Sequence, residues 1–115
     1  MSMTAARGGA GRKYRNIPVV VDGIRFPSKA QARRYGELKM LLGAGKIRDL
    51  RHEVTFALYG KNGGPVCRYR ADFTYSEDGK QIAEDVKGVA TAVFGIKAKL
   101  FRDNYGKDWE LRVVR

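Results

Sequence analysis

Near the middle of the chain, Asp72, Asp85 and Lys87 have the types and spacing of a hydrolytic site. The stretch QIAEDVKG, residues 81–88, reads as a strand, with Ile82, Glu84 and Val86 on one face and Ala83, Asp85 and Lys87 on the other. Asp85 and Lys87 therefore point the same way, and Glu84 points away in a structural role. The preceding run alternates too: Cys67, Tyr69, Ala71, Phe73 and Tyr75 on one face, Arg68, Arg70, Asp72 and Thr74 on the other. Between the runs lies Asp78-Gly79, a dipeptide suited to a two-residue hairpin turn because both positions need positive φ. Such a turn sets Glu77 against Lys80, and hence Asp72 against Asp85 and Arg70 against Lys87. Like charges directly opposed cost up to about 1 kcal/mol, so two such pairs in a row require an explanation.

A divalent cation between the carboxylates is one explanation. Hard oxygen ligands suit Mg²⁺ or Mn²⁺, which keep several waters and complete their shell from a phosphate. Such an ion polarises a phosphodiester and lowers the pKa of a bound water, while Lys87 stabilises developing charge. The competing explanation is an ion-paired sheet face on which Arg68, Arg70 and Lys87 neutralise the acids. An acid two residues before a lysine is a weak signal by itself, since Glu37-Leu38-Lys39 and Asp78-Gly79-Lys80 share it.

The elements that must position these groups follow from caps, turns and periodicity. NIPVVVDGIRF is a hairpin around Asp22-Gly23. In PSKAQARRYGELKMLLGAGK, Ser28 is an N-cap, Gln31 completes a capping-box pattern, and Gly43 or Gly45 supplies the stop. Tyr35, Leu38, Leu41 and Leu42 form that helix's apolar face, leaving Lys29, Arg33 and Arg34 for solvent or phosphate. Two strands separated by the turn residues 61–64 lead through the Asp78-Gly79 turn to QIAEDVKG. A second helix follows, capped by Thr91 and stopped by Gly106, with Val93, Ile96, Leu100 and Phe101 as its apolar face. WELRVV closes as a half-buried strand. The order is hairpin, helix, three-strand meander, helix, strand, an α+β class. Residues 1–14 are small, Gly-rich and basic and read as a disordered arm; 15–115 read as a single domain.

Lys and Arg number 23 against 12 Asp and Glu, a net charge of +11 that calls for a polyanionic partner. Candidate nucleic-acid contacts are Arg12 and Lys13 in the arm, Arg33 and Arg34 in the first helix, Arg68 and Arg70 in the meander, and Lys97, Lys99 and Arg102 in the second helix. A merely solvated basic face is the plainer alternative. One cysteine, Cys67, and one histidine, His52, exclude a disulfide framework within the chain and argue against a Cys/His zinc site. Neither GGAGRK nor GAGKI has the spacing of a phosphate-binding loop. No apolar run has the length of a membrane helix, and the expected location is cytoplasmic.

The pattern ADF followed by EDVKG, after a helix opening FPSKAQARRY, resembles the PD-(D/E)XK nuclease superfamily. More narrowly, it is similar to a family of small, mostly phage-encoded proteins assigned to that superfamily. The resemblance spans residues 14–114. It implies a restriction-endonuclease-like αβββαβ core, with a mixed sheet flanked by helices. It also implies a Mg²⁺-dependent (or Mn²⁺-dependent) DNA endonuclease acting on branched, nicked or recombination intermediates, as small Holliday junction resolvases do, in a bacterial host. A homodimer is compatible with it. Residue by residue, Asp72 takes the place of the first metal-binding aspartate, Asp85 of the second acid and Lys87 of the motif lysine. Gln31 stands where the related first-helix pattern carries a glutamate. It keeps an acceptor oxygen and loses the charge, which makes Glu37, further along that helix, the alternative metal ligand. The same departure supports the rival reading, a non-catalytic nucleic-acid-binding protein on a degenerate nuclease fold.

Overall fold

The computed structural model describes residues 17–87 and 91–115. The basic arm, with Arg12 and Lys13, lies outside the described residues. The chain divides into two compact units, with the boundary in sequence between Arg33 and Arg34.

In the first unit, strands β1 (Val19–Val21) and β2 (Ile24–Phe26) pair antiparallel. Asp22 and Gly23 turn between them with φ of 54° and 76°, the doubly left-handed geometry that favours the Asp-Gly dipeptide. Helix α1 (Lys29–Gly43) then starts, with Ser28 Oγ accepting the Gln31 backbone N–H at 3.2 Å.

In the second unit α1 ends in a Schellman motif. Lys46 N–H donates to the Leu41 carbonyl at 2.9 Å and Gly45 N–H to the Leu42 carbonyl at 3.1 Å, with Gly45 at φ 75°. Strands β3 (Arg48–Tyr59), β4 (Pro65–Glu77) and β5 (Lys80–Val86) form the meander, followed by helix α2 (Ala92–Tyr105) and strand β6 (Trp109–Val114). The sheet order is β3-β4-β5-β6, antiparallel except for the parallel β5/β6 pair that α2 connects. The class is α+β, with an N-terminal two-strand hairpin, a four-strand mixed sheet and two helices.

Asp78 and Gly79 adopt φ of 52° and 79°, and the β4/β5 ladder runs in the register expected from the turn from Glu77↔Lys80 to Phe73↔Glu84, where it stops, so the expected opposed pairs Asp72↔Asp85 and Arg70↔Lys87 are not ladder pairs. The alternation along β4 does not persist as expected. Tyr69 and Ala71 pack with Phe56, Leu58, Ala83 and Phe101 in a core under α2. Phe73 instead stacks on Tyr35 of α1, with ring centroids 6.3 Å apart. The face switches at Asp72. Its neighbours pair regularly, Val54↔Ala71 and His52↔Phe73, but the ladder skips Glu53 and Asp72. Glu53 has φ 53°, a left-handed conformation unusual for a side chain other than glycine, which kinks β3 at that point. Strict period-two reasoning therefore misassigned half of this strand.

Helix α2 also differs from expectation. Ala98 and Phe101 are its buried residues, and Phe94 and Leu100 pack partly against the core, whereas Val93 and Ile96 are 61% and 62% exposed. The ring of Phe56 makes edge contacts with Phe101 and Trp109 at 4.9 and 5.0 Å, so the aromatic core settles which face of α2 turns inward. Among the described residues, no helix is long and apolar enough to cross a membrane.

Candidate functional site

The switch at Asp72 brings Tyr69 onto the α2 side of the sheet together with Asp72, Asp85 and Lys87. They line a cleft of about 320 Å³ whose rim carries Arg70 and Lys97 and whose far wall is the first turn of α2. That turn is fixed by Thr91, whose Oγ1 accepts the Phe94 N–H at 3.1 Å.

Asp85 is almost wholly buried, at 4% exposure. Its Oδ2 accepts a 2.6 Å hydrogen bond from the Tyr69 hydroxyl, and its Oδ1 lies 3.4 Å from Lys87 Nζ. The Lys87 ammonium is placed over the Phe94 ring, 4.5 Å from its centroid, where the π face favours a cation. Asp72 accepts the Val86 N–H on Oδ2 at 2.7 Å, a side-chain bond made where the ladder is interrupted. Burial first, and then the charge and hydrogen bonding of Asp85, push the Asp72 carboxyl up to about 6, against the lowering effects of the Val86 N–H and Lys87. The Tyr69 hydroxyl is pushed well above its ordinary value by burial and by its bond to Asp85, so it remains a neutral donor. Two carboxylates thus share the Lys87 ammonium, with Arg70 and Lys97 also lining the cleft.

On the α1 side of the same strand, Glu84 is fully buried and fully satisfied. Its Oε2 accepts from Arg34 Nε at 2.7 Å, and its Oε1 from Arg34 Nη2 at 3.0 Å and from the Tyr75 hydroxyl at 2.6 Å. The Glu84 hydrogen bonds hold Arg34 even more firmly protonated than usual. Arg34 also donates to Glu37 at 2.9 Å. Two expectations are corrected here. Arg34 is committed to a buried carboxylate rather than offered to phosphate, and Glu37 is tied to Arg34 on the α1 side rather than joining Asp72 and Asp85. Glu84 points away from Asp85, as face alternation in β5 required.

Of the remaining candidates, Gln31 and Arg33 belong to the first unit, where Gln31 takes part in the Ser28 cap and Arg33 is exposed. Arg68 is exposed on β4, and Lys99 and Arg102 are exposed further along α2. Among the described residues, no three or more His, Cys, Asp and Glu side chains gather as a metal cluster. The donor set that fits a cation is the Asp72–Asp85 pair, two hard carboxylates beside an open cleft, which matches the few protein ligands Mg²⁺ takes when waters and phosphate complete its shell.

A family model described as a protein of unknown function (DUF1064) matches residues 11–115. The chain belongs to this family. No curated protein and no solved structure matches it. In this DUF1064 member, the site residue that sequence reasoning missed is Tyr69. Alternation assigned it to the face opposite Asp72, and only the interrupted pairing at Glu53 and Asp72 reverses that assignment. The local sequence carries no turn or glycine signal for the interruption.

Proposed function

We propose that the chain is a Mg²⁺- or Mn²⁺-dependent DNA endonuclease of the PD-(D/E)XK type. The observation that carries this reading is the convergence of Asp72, Asp85 and Lys87 on one cleft, with Lys87 paired to Asp85. Asp72 and Asp85 would hold the divalent ion, which when bound supplies a Lewis acid for a phosphoryl oxygen and a water of lowered pKa. Tyr69 fixes the orientation of Asp85 by donating to Oδ2. Lys87, held beside Oδ1 and against the Phe94 ring, places positive charge where a phosphodiester gains negative charge. Arg70 and Lys97, which also line the cleft, would neutralise flanking phosphates.

Supercoiled plasmid and synthetic four-way junctions incubated with Mg²⁺ or Mn²⁺ test this. Native protein cleaves and Asp85→Ala does not; undiminished cleavage by Asp85→Ala overturns the assignment. Gln31 in the place of a glutamate, with no cluster of three acids among the described residues, favours a second reading of non-catalytic nucleic-acid binding. Steeply salt-dependent binding without cleavage under either metal decides for it.

A further inference from the structure

A second groove, of about 500 Å³, opens between the end of β3 and the outer face of α2, lined by Tyr59, Lys61, Ile96, Lys99, Asp103 and Asn104 among others. Asn104 builds it. Its Oδ1 accepts the Tyr59 N–H at 3.0 Å, and its Nδ2 donates to the Tyr59 carbonyl at 3.1 Å and to the Leu100 carbonyl at 2.7 Å. The main chain of Tyr59, the last β3 residue, is thereby fastened to α2 while the residue stays 43% exposed. Beside that ring lies Ile96, 62% exposed although helical periodicity would have put it in the core. Lys61 and Lys99 are exposed at the groove, against one carboxylate, Asp103.

An aromatic ring, an aliphatic surface and two ammonium groups are what an unpaired nucleotide uses: the base stacks and the flanking phosphates meet the lysines. A duplex already stacks its bases on one another and has no use for the ring. The chain's charge of +11 disfavours a basic peptide as occupant and favours a polyanion. Consecutive positions of α2 serve both openings, with Val93 and Lys97 in the cleft of Asp72 and Asp85, and Ile96 and Lys99 in the groove.

We propose that this groove binds an unpaired nucleotide of a DNA strand that continues into the cleft. Resting on the endonuclease reading of that cleft, the substrate class is then DNA with a single-stranded segment adjoining the cleavage point. Lys99 holds a phosphate of that segment and Tyr59 stacks on a base.

The test is equilibrium binding, without divalent metal, of a fluorescein-labelled oligothymidylate of about 15 nucleotides and of a blunt duplex of similar length. Tyr59→Ala weakens oligothymidylate binding roughly tenfold and leaves duplex binding unchanged, and Tyr59→Phe restores the native value. Lys99→Gln lowers the salt slope on the oligothymidylate by about one counterion. Equal oligothymidylate binding by native protein and Tyr59→Ala overturns the proposal, as does a Tyr59→Ala loss that is the same on the duplex. The two readings fail separately. Native protein that never cuts but shows the Tyr59 dependence loses the endonuclease reading and keeps the groove; native protein that cuts with no Tyr59 dependence loses only the groove.

Discussion

Glu84 and Asp85 are neighbours in one strand, both nearly inaccessible, and they are treated in opposite ways. On the α1 side, Glu84 receives a two-pronged Arg34 guanidinium and the Tyr75 hydroxyl, so each oxygen is satisfied. On the α2 side, Asp85 receives one tyrosine and a lysine at 3.4 Å, and shares its surroundings with a second carboxyl, Asp72. A buried charge with complete partners is a finished structural element. Two like charges crowded together, one of them buried, raise the proton affinity of one member and leave a place that a divalent cation can occupy. The difference between the sides separates a strut from a candidate site.

The largest test of that comparison is stability. Glu84→Ala leaves Arg34, mostly buried at 19% side-chain exposure, with Glu37 as its remaining carboxylate, and is expected to cost about 3 kcal/mol in urea denaturation. Asp85→Asn removes a repulsion and keeps an acceptor for Tyr69, and is expected to change stability by less than about 1 kcal/mol. Equal losses from the two variants would erase the distinction.

A somewhat smaller effect comes from metal. If the α2-side pair is the cation site, Mn²⁺ at about 100 times its dissociation constant raises native stability by about 2.7 kcal/mol. Asp72→Asn abolishes that gain, whereas the α1-side change Tyr75→Phe leaves it intact. Equal Mn²⁺ stabilisation of native protein and Asp72→Asn, followed by thermal unfolding, removes the cation from the α2 side.

Smaller again is the pH dependence of metal-free protein. The Asp72 carboxyl binds its proton more tightly folded, near 6, than at its ordinary 3.8. Between those values the native state holds more protons than the unfolded one, so this group's contribution falls as pH rises from about 4 to about 6 and is constant above. After allowance for solvent screening, the fall is on the order of 1–2 kcal/mol. It is read as the difference between native protein and Asp72→Asn across that window, because other carboxylates titrate there with the opposite sign. A difference that stays flat, or grows with pH, contradicts the crowded-carboxyl picture.

Much of this arrangement was legible in the residues because it depends on local rules. The Asp-Gly turn dictated the β4/β5 register, and alternation within β5 separated Glu84 from Asp85. The Ser28 cap and the Gly45 stop bounded α1. What the residues could not reveal was decided across strands and between layers. The interruption opposite Glu53 turned Tyr69 toward Asp85, and no property of Asp72 or Tyr69 alone announces it. The aromatic cluster around Phe56 chose Phe101 for the interior and left Ile96 outside. Arg34 looked like any basic residue on a helix, and only packing of α1 against β5 shows that it is consumed by Glu84.

The finest test uses the two tyrosines, which make bonds of equal length to the two acids: Tyr69 to Asp85 and Tyr75 to Glu84, each at 2.6 Å. Removing either hydroxyl as phenylalanine keeps the ring packing and deletes one charge-assisted hydrogen bond, so each is expected to cost about 1–2 kcal/mol of stability. Their consequences diverge beyond that. Glu84 without Tyr75 is still clamped through both oxygens by Arg34 and cannot turn. Asp85 without Tyr69 keeps Lys87 at 3.4 Å and its contact with Asp72, but nothing fixes Oδ2 any longer, and the carboxylate is less firmly oriented. Tyr69→Phe is therefore expected to weaken Mn²⁺ binding several-fold in calorimetric titration, while Tyr75→Phe leaves it unchanged at a similar loss of stability. If both variants weaken Mn²⁺ equally, the effect is loosened packing of the sheet; if only Tyr69→Phe does, a single hydroxyl orients the carboxylate that the cation needs.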